Sequence, residues 1–142
     1  MIKIKSMQLG PVMTNAYLVA DETTKEATVI DPAWDGERIL REAEKENWQI
    51  KQIWVTHAHF DHIGGVSAIV NGSPEPPVVA LHPKDHDLWQ AKGGAPLFGM
   101  HFESSAKPNM ALSHGQVLKL GDSSTEVRHA PVFERKEVRV VT

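Results

Sequence analysis

Short apolar runs separated by polar turns predict a chain of alternating strands and helices. The run at residues 53–55 is continuously apolar, which is typical of a strand covered on both faces. In the first strand, Ile2 and Ile4 share one face whereas Met7 and Leu9 fall on the other, and this change of phase predicts a bulge between them. Together the apolar runs predict strands at residues 2–9, 15–20, 27–30, 49–56 and 78–81.

Helices are predicted where apolar residues recur with a period near that of an α-helix. Asp35 is a suitable N-cap for a helix that runs to about residue 47, with Ile39, Leu40 and Ala43 as its buried stripe. The order strand, helix, strand predicts the α/β class. The remaining predicted elements are short helices at residues 62–70 and 84–92, a hairpin of strands 116–120 and 125–128, and a last strand at 138–141.

Residues 93–112 lack a clean period and contain several glycines and prolines. A loop of this length within a compact domain is usually functional or mobile. Two interpretations stand side by side. The segment is either a flap that covers substrate or an insertion that packs its own apolar residues, which include Leu97, Phe98, Met100 and Phe102.

Composition places the 142-residue chain among single-domain globular proteins, with 41% hydrophobic and 23% charged residues. A net charge of −3 and the lack of any Lys/Arg run argue against a nucleic-acid partner. The chain has no cysteine, so disulfides and thiolate ligands are excluded. No apolar run approaches bilayer length, and the first residues do not resemble a signal peptide, so we expect a cytoplasmic protein with no membrane partner.

Residues 57–62, hereafter the histidine motif, carry the candidate chemistry. Three of the chain's 8 histidines lie here with one aspartate, as His57, His59, Asp61 and His62. Zinc and iron prefer these ligands when sulfur is absent, and manganese also suits them. In extended backbone His57 and His59 project the same way and can converge on one ion, while Asp61 and His62 can face a second. The alternative is a polar strand-to-helix turn with Asp61 as the N-cap.

Other histidines are weaker candidates. His82, His86, His101 and His114 are scattered, and each is interpreted as a surface or loop residue.

The order His57-Ala58-His59-Phe60-Asp61-His62 resembles the His-x-His-x-Asp-His signature of the metallo-β-lactamase superfamily. Other stretches, in the same order along roughly residues 2–131, resemble its glyoxalase II-like (hydroxyacylglutathione hydrolase-like) branch. These stretches are Gly10-Pro11, Thr14 to Val19, Val29 to Pro32, and the run from His114 through Leu120-Gly121 to Pro131.

The resemblance implies an αββα sandwich whose first half is complete and whose second half is partial, in one domain over residues 1–142. It implies that His57 and His59 hold one metal ion and that Asp61 and His62 hold another, with zinc favoured and up to two ions bound. It further implies hydrolysis of a small-molecule thioester or other ester by a metal-bound hydroxide, with Asp61 also orienting the water.

After about residue 131 the sequence departs from the family pattern. The pattern continues with Gly-His, a bridging aspartate and a last histidine, but this sequence has no histidine after His129 and no aspartate after Asp122. His129 or Glu134 is a candidate substitute, as is a partner chain. The departure leaves three hypotheses: a hydrolase completed in this way, a catalytically impaired truncated member that binds a metal or a partner, and a nucleic-acid-processing member, which the net charge disfavours. A truncated sandwich exposes sheet edge, which predicts a homo-oligomer.

Overall fold

The computed structural model describes residues 2–11, 13–99, 106–132 and 135–141, and gives the backbone alone for residue 98 and from residue 127 onward. The strands are β1 Ile2–Leu9, β2 Thr14–Asp21, β3 Glu26–Ile30, β4 Gln49–Trp54, β5 Val78–Leu81, β6 Met110–Ala111, β7 Val117–Leu120, β8 Ser123–Val132 and β9 Arg135–Val141. The helices are α1 Gly36–Lys45, α2 Phe60–Ile63, α3 Val66–Asn71 and α4 His86–Gln90, with 3-10 segments at Pro83–Asp85 and Lys92–Phe98.

Two sheets form the centre of the fold. Strands β1 to β6 make one sheet in sequence order, with β1, β2 and β3 antiparallel and β3 to β6 parallel. Strands β7, β8 and β9 make a second, antiparallel sheet. The predicted strands and the predicted hairpin are confirmed. The predicted last strand at residues 138–141 is also confirmed, within β9.

Each face of the six-stranded sheet has its own core. On one face the sheet packs against helices α1 and α3, and Leu18, Ile39 and Ile69 are fully buried there. On the other face the second sheet contributes Leu120, which packs in one cluster with Trp54. This helix–sheet–sheet layering confirms the predicted α/β sandwich class. Among the described residues, no helix is long and apolar enough to span a membrane.

The predicted bulge in β1 is wrong. The register with β2 runs without interruption from Ile2 opposite Asp21 to Leu9 opposite Thr14. The apolar phase changes for another reason: Met7 is buried on the helix side, whereas Ile2 packs in the cluster on the opposite face. The two halves of the strand are therefore covered by different layers, and no extra residue is needed.

The predicted helix at residues 62–70 is divided into α2 and α3 at Gly64-Gly65. The Gly65 N–H leaves the helical pattern and donates to the Pro32 carbonyl oxygen at 2.8 Å. A side chain at Gly64 would overlap the Trp34 ring and the carbonyl oxygen of Ala33. Asp35 does precede α1, but its backbone is left-handed (φ 45°) and its side chain makes no capping hydrogen bond.

Asp21 joins the two sheets. Its side chain is buried and accepts hydrogen bonds from the backbone N–H of Thr23 at 2.8 Å and of Asp122 at 2.7 Å. The hydroxyl of Ser123 also donates to it, at 3.3 Å. Burial acts to raise the pKa of Asp21, but the hydrogen bonds from Thr23, Asp122, Thr24 and Ser123 outweigh burial and lower the pKa below its ordinary value. The ionised carboxylate is therefore the form that holds the β7–β8 turn against β2.

We expect Asp21→Asn to reduce the acid sensitivity of the fold. The pKa of Asp21 is lower in the folded chain than in the unfolded chain, so its stabilisation is present above an unfolded pKa of about 3.9 and is lost as the pH falls through the folded pKa. Urea unfolding at a series of pH values below about 5 measures this loss. As the pH is lowered, the free energy of unfolding should fall less steeply in the variant than in the wild type. Equal slopes would contradict this role.

Candidate metal centre

The histidine motif follows the carboxyl end of β4, the sheet edge where α/β proteins place their ligand sites. The backbone first stays in the sheet, because Val55 N–H donates to the Ala80 carbonyl oxygen at 3.0 Å. It then turns into α2 after His59, whose own backbone is extended. His59 occupies the N-cap position of α2 and Asp61 lies in the first turn, so the interpretation of Asp61 as an N-cap is wrong.

The structure brings all four candidate ligands of the motif together. The His57 and His59 rings stack with centroids 5.6 Å apart, and the His57 and His62 rings meet edge to face at 4.8 Å. The Asp61 carboxylate lies between two of the rings, with Oδ1 at 2.6 Å from His59 Nδ1 and Oδ2 at 3.7 Å from His62 Nε2. Three imidazoles and one carboxylate therefore share one small volume at the end of the sheet.

Asp61 is kept in its ionised form. Burial acts to raise the pKa of Asp61, but the hydrogen bond with His59 and the charges of His62 and His59 outweigh burial and lower the pKa below its ordinary value. The Thr14 hydroxyl adds to this effect by donating to Asp61 Oδ2 at 3.1 Å. Sequence reasoning placed Thr14 only in a family-like stretch. Its contact with Asp61 joins residues 47 positions apart and leaves no local signal.

Asp31 is a site residue that sequence reasoning missed. Its carboxylate is buried next to the motif and accepts from the backbone N–H of Thr56 at 2.7 Å and from the Thr56 hydroxyl at 2.5 Å. Its Oδ2 also lies 3.0 Å from Nδ1 of His62. An ionised carboxylate accepts hydrogen bonds, so Nδ1 of His62 carries the proton and Nε2 is directed towards Asp61. The sequence signals were the position of Asp31 at the end of a strand and its place in the family-like stretch from Val29 to Pro32.

These residues fit a metal ion in their chemistry. Imidazole and carboxylate are the ligands of zinc and iron, and a carboxylate behind a histidine, as Asp31 is behind His62, is the usual arrangement for a metal-bound imidazole. Within the described parts of the chain, no three His, Asp or Glu side chains already surround a single point that a metal could occupy. The contact of Asp61 with His59 joins two atoms, a carboxylate oxygen and a ring nitrogen, that could otherwise bind a metal.

The other candidates are less informative. His82 accepts a hydrogen bond from the Lys84 N–H and begins a 3-10 turn, as expected for a loop residue. His129 lies on β8, where the structure gives the backbone alone, and His101 and Glu134 lie outside the described residues. The 3-10 segment Lys92–Phe98 lies against α2 and exposes 88% of Leu97. The rest of the predicted flap includes residues 100–105, which lie outside the described residues.

Comparison with known proteins identifies the family. Residues 9–134 match the model of the metallo-beta-lactamase superfamily. An uncharacterized protein of Aquifex aeolicus is 33% identical over 133 residues, covering 90% of this chain and 59% of that protein. A hydroxyacylglutathione hydrolase of Maricaulis maris is 32% identical over 117 residues, covering 81% of this chain and 38% of the relative.

Solved structures agree with this assignment. The crystal structure of the B3 metallo-beta-lactamase BLEG-1 superposes with a TM-score of 0.83 at 30% identity, covering 97% of this chain and 66% of the other. TTHA1623 in a di-iron-bound form gives a TM-score of 0.78 at 30% identity, with 94% and 64% coverage. This chain thus spans less than two thirds of the length of each of these four proteins. It belongs to the metallo-beta-lactamase superfamily.

Proposed function

We propose that this protein is a metal-dependent hydrolase that cleaves a thioester or another ester of a small molecule. One observation carries the proposal: His57, His59, Asp61 and His62 meet at the carboxyl end of β4, with Asp31 holding His62 from behind. The hydroxyacylglutathione hydrolase of Maricaulis maris supports the thioester class. The probable metallo-hydrolase YqgX of Bacillus subtilis, 31% identical over 134 residues, supports the broader hydrolase class.

In this proposal His57 and His59 hold one metal ion, and Asp61 and His62 hold a second. A bound metal of this kind supplies Lewis-acid polarisation of a carbonyl and acidification of water near neutral pH. Asp61 is the proposed catalytic residue because its ionised carboxylate can accept a hydrogen bond from a water molecule and so orient it. Thr14 holds one carboxylate oxygen of Asp61 in place. Zinc is the proposed metal, and iron and manganese are the alternatives, iron being present in TTHA1623.

A second candidate is a catalytically impaired member that binds a metal ion or a partner without turnover. One observation favours it: among the described residues, no three His, Asp or Glu side chains surround one point. The two candidates differ in one measurable property, turnover that depends on a metal.

Thioester hydrolysis before and after metal removal tests the proposal. We expect the zinc-loaded protein to hydrolyse an acylated thiol such as an S-acyl glutathione, to lose this activity in a chelator and to regain it with zinc. Free thiol released with time measures the reaction. Activity that a chelator leaves unchanged would contradict the proposal, and a metal-binding protein with no turnover would favour the impaired member.

We also propose a homo-oligomer. β1 forms one edge of the described six-stranded sheet, and Ile4 on this strand is 63% exposed. An edge strand with an exposed apolar side chain favours pairing with another chain. Light scattering at micromolar concentration should give a mass of at least two chains, and Ile4→Lys should lower it. A monomeric wild type would contradict this proposal.

The remaining proposals concern location and partners. We propose the cytoplasm, in line with the cytoplasmic hydroxyacylglutathione hydrolase of Arabidopsis thaliana, which is 42% identical over 60 residues.

Neither nucleic acid nor a membrane is a proposed partner, because the net charge is −3 and no Lys/Arg run offers a phosphate-binding surface. We propose that residues 92–98 form one wall of the substrate site, since this segment lies against α2.

A further inference from the structure

Ala58 separates the two histidines that are proposed to share an ion. Its side chain is fully buried, and its backbone N–H donates to Oδ2 of Asp85 at 3.0 Å. A buried N–H needs an acceptor, and a carboxylate is a stronger acceptor than a carbonyl group. The contact joins residues 27 positions apart, so it fixes the motif to another element of the fold.

The orientation of this peptide matters for metal binding. The relative direction of two side chains two positions apart depends on the backbone of the residue between them, so the backbone at Ala58 determines whether His57 and His59 converge. Rotation of that backbone would separate the two rings, which now stack 5.6 Å apart. The hydrogen bond from Ala58 to Asp85 opposes such a rotation, although Asp85 itself is not among the proposed ligands.

Asp85 is held in place by the neighbouring strand. It closes the 3-10 turn Pro83–Asp85 directly after β5, and its own N–H donates to the His82 carbonyl oxygen at 2.9 Å. β5 is parallel to β4 and in register with it, with Trp54 opposite Ala80. Asp85 and the histidine motif therefore start from the same edge of the same sheet, and the position of one constrains the other.

The same stretch of chain contacts the motif at a second point. Gly93 has a left-handed backbone (φ +65°), and a Cβ placed there would overlap the backbone of Phe60 and of His59. Residues 85 and 93 thus hold the motif backbone from the side of β5, one through a hydrogen bond and the other through close packing. Of the two, Asp85 is the one whose chemistry can be changed without creating an overlap.

We propose that Asp85 is a positioning residue of the metal centre, which orients His57 and His59 for metal binding through the backbone N–H of Ala58. This inference rests on the proposed function, because it assumes that the two histidines are ligands. It predicts that loss of the carboxylate weakens metal binding although no ligand has been removed. A conservative amide replacement keeps an acceptor oxygen at the same distance from the backbone and should restore much of the affinity.

The test compares Asp85→Ala, Asp85→Asn and a matched control, Asp87→Ala, which removes an exposed carboxylate two residues away. Zinc affinity should fall about 10- to 100-fold in Asp85→Ala, the usual range when a group that supports a ligand is lost. It should fall less in Asp85→Asn and stay unchanged in Asp87→Ala. The visible spectrum of the cobalt-loaded protein should change most in Asp85→Ala, less in Asp85→Asn and not at all in Asp87→Ala. This spectrum reports the geometry of the ligands rather than overall stability.

Amide hydrogen exchange of the metal-free chain gives a readout that does not depend on bound metal. The Ala58 amide should exchange faster in Asp85→Ala than in the wild type, with little change at amides in β2. If Asp85→Ala keeps wild-type zinc affinity and the wild-type cobalt spectrum, the positioning role is overturned even where Ala58 exchanges faster. If the wild type binds no zinc, the proposed function fails first and the inference fails with it. Normal zinc binding without hydrolysis contradicts the proposed function alone.

Discussion

Replacing His59 by alanine is expected to abolish metal-dependent hydrolysis while leaving the fold intact. The imidazole is a proposed ligand, stacks on His57 and contacts Asp61 at 2.6 Å. Its loss should weaken zinc binding by more than the roughly 10- to 100-fold that follows loss of a group supporting a ligand. Its side chain is 28% exposed, so we expect the free energy of unfolding of the metal-free chain to change by no more than about 1 kcal/mol.

His114→Ala is the matched control for this substitution. It removes the same imidazole from an exposed turn before β7, outside the histidine motif. Both variants should unfold in urea like the wild type, and only His59→Ala should lose zinc and hydrolysis. Equal zinc content and equal thioester turnover in the two variants would contradict the role of His59 as a ligand.

Asp31→Ala is expected to give the largest loss of stability among the substitutions proposed here. The carboxylate is buried and accepts from the Thr56 N–H, the Thr56 hydroxyl and Nδ1 of His62. Alanine would leave these donors without their acceptor, and each buried orphan donor costs about 1–3 kcal/mol. Some donors will find water, so we expect a total loss of about 3 kcal/mol in the free energy of unfolding.

Asp31→Asn separates the metal-binding effect from the stability effect. In the wild type the Thr56 N–H donates to Oδ1 of Asp31. In the variant the amide oxygen must take this position, so the NH2 group takes the position of Oδ2 beside His62. An NH2 group donates, so Nδ1 of His62 would have to accept and the proton would move to Nε2, the nitrogen now directed towards Asp61. A protonated Nε2 cannot bind a metal, and zinc affinity should fall although a side chain of the same shape remains.

Urea unfolding and zinc titration of the two Asp31 variants check this pair of expectations. Asn should be the less destabilising of the two, and both should bind zinc weakly. Wild-type zinc affinity in Asp31→Asn would show that the tautomer of His62 does not control zinc binding. Wild-type stability in Asp31→Ala would show that the buried carboxylate does not hold the loop.

The strands and the histidine motif could be predicted because their signals are local. Ile53, Trp54 and Val55 form an apolar run, and this run lies at the carboxyl end of β4, directly before the motif. His57 and His59 are two positions apart, and their rings do lie side by side. In both cases residues a few positions apart determine the outcome.

The contacts that hold the motif in place could not be predicted in the same way. Asp31 contacts His62, and Asp85 contacts Ala58, across separations of 31 and 27 residues. Nothing in the local sequence says which buried donor an aspartate at a strand end will meet. That depends on the parallel pairing of β3, β4 and β5, which places three loops at one edge of the sheet.

The bulge predicted in β1 failed for a related reason. The apolar pattern was interpreted as though one layer covers the whole strand. In the structure Met7 faces the helices and Ile2 faces the second sheet. No local feature of the sequence reveals that two different layers pack against the two faces of this strand.

Metal content per chain, measured by elemental analysis on protein of known oligomeric state, tests the central claim most directly. Wild-type protein should retain roughly one zinc ion or more per chain after dialysis, as expected of a site built from imidazole and carboxylate ligands. The double variant His57→Ala, His59→Ala should retain none while staying folded. A folded wild type without bound metal, or a double variant with as much metal as the wild type, would contradict the assignment of the histidine motif as a metal centre.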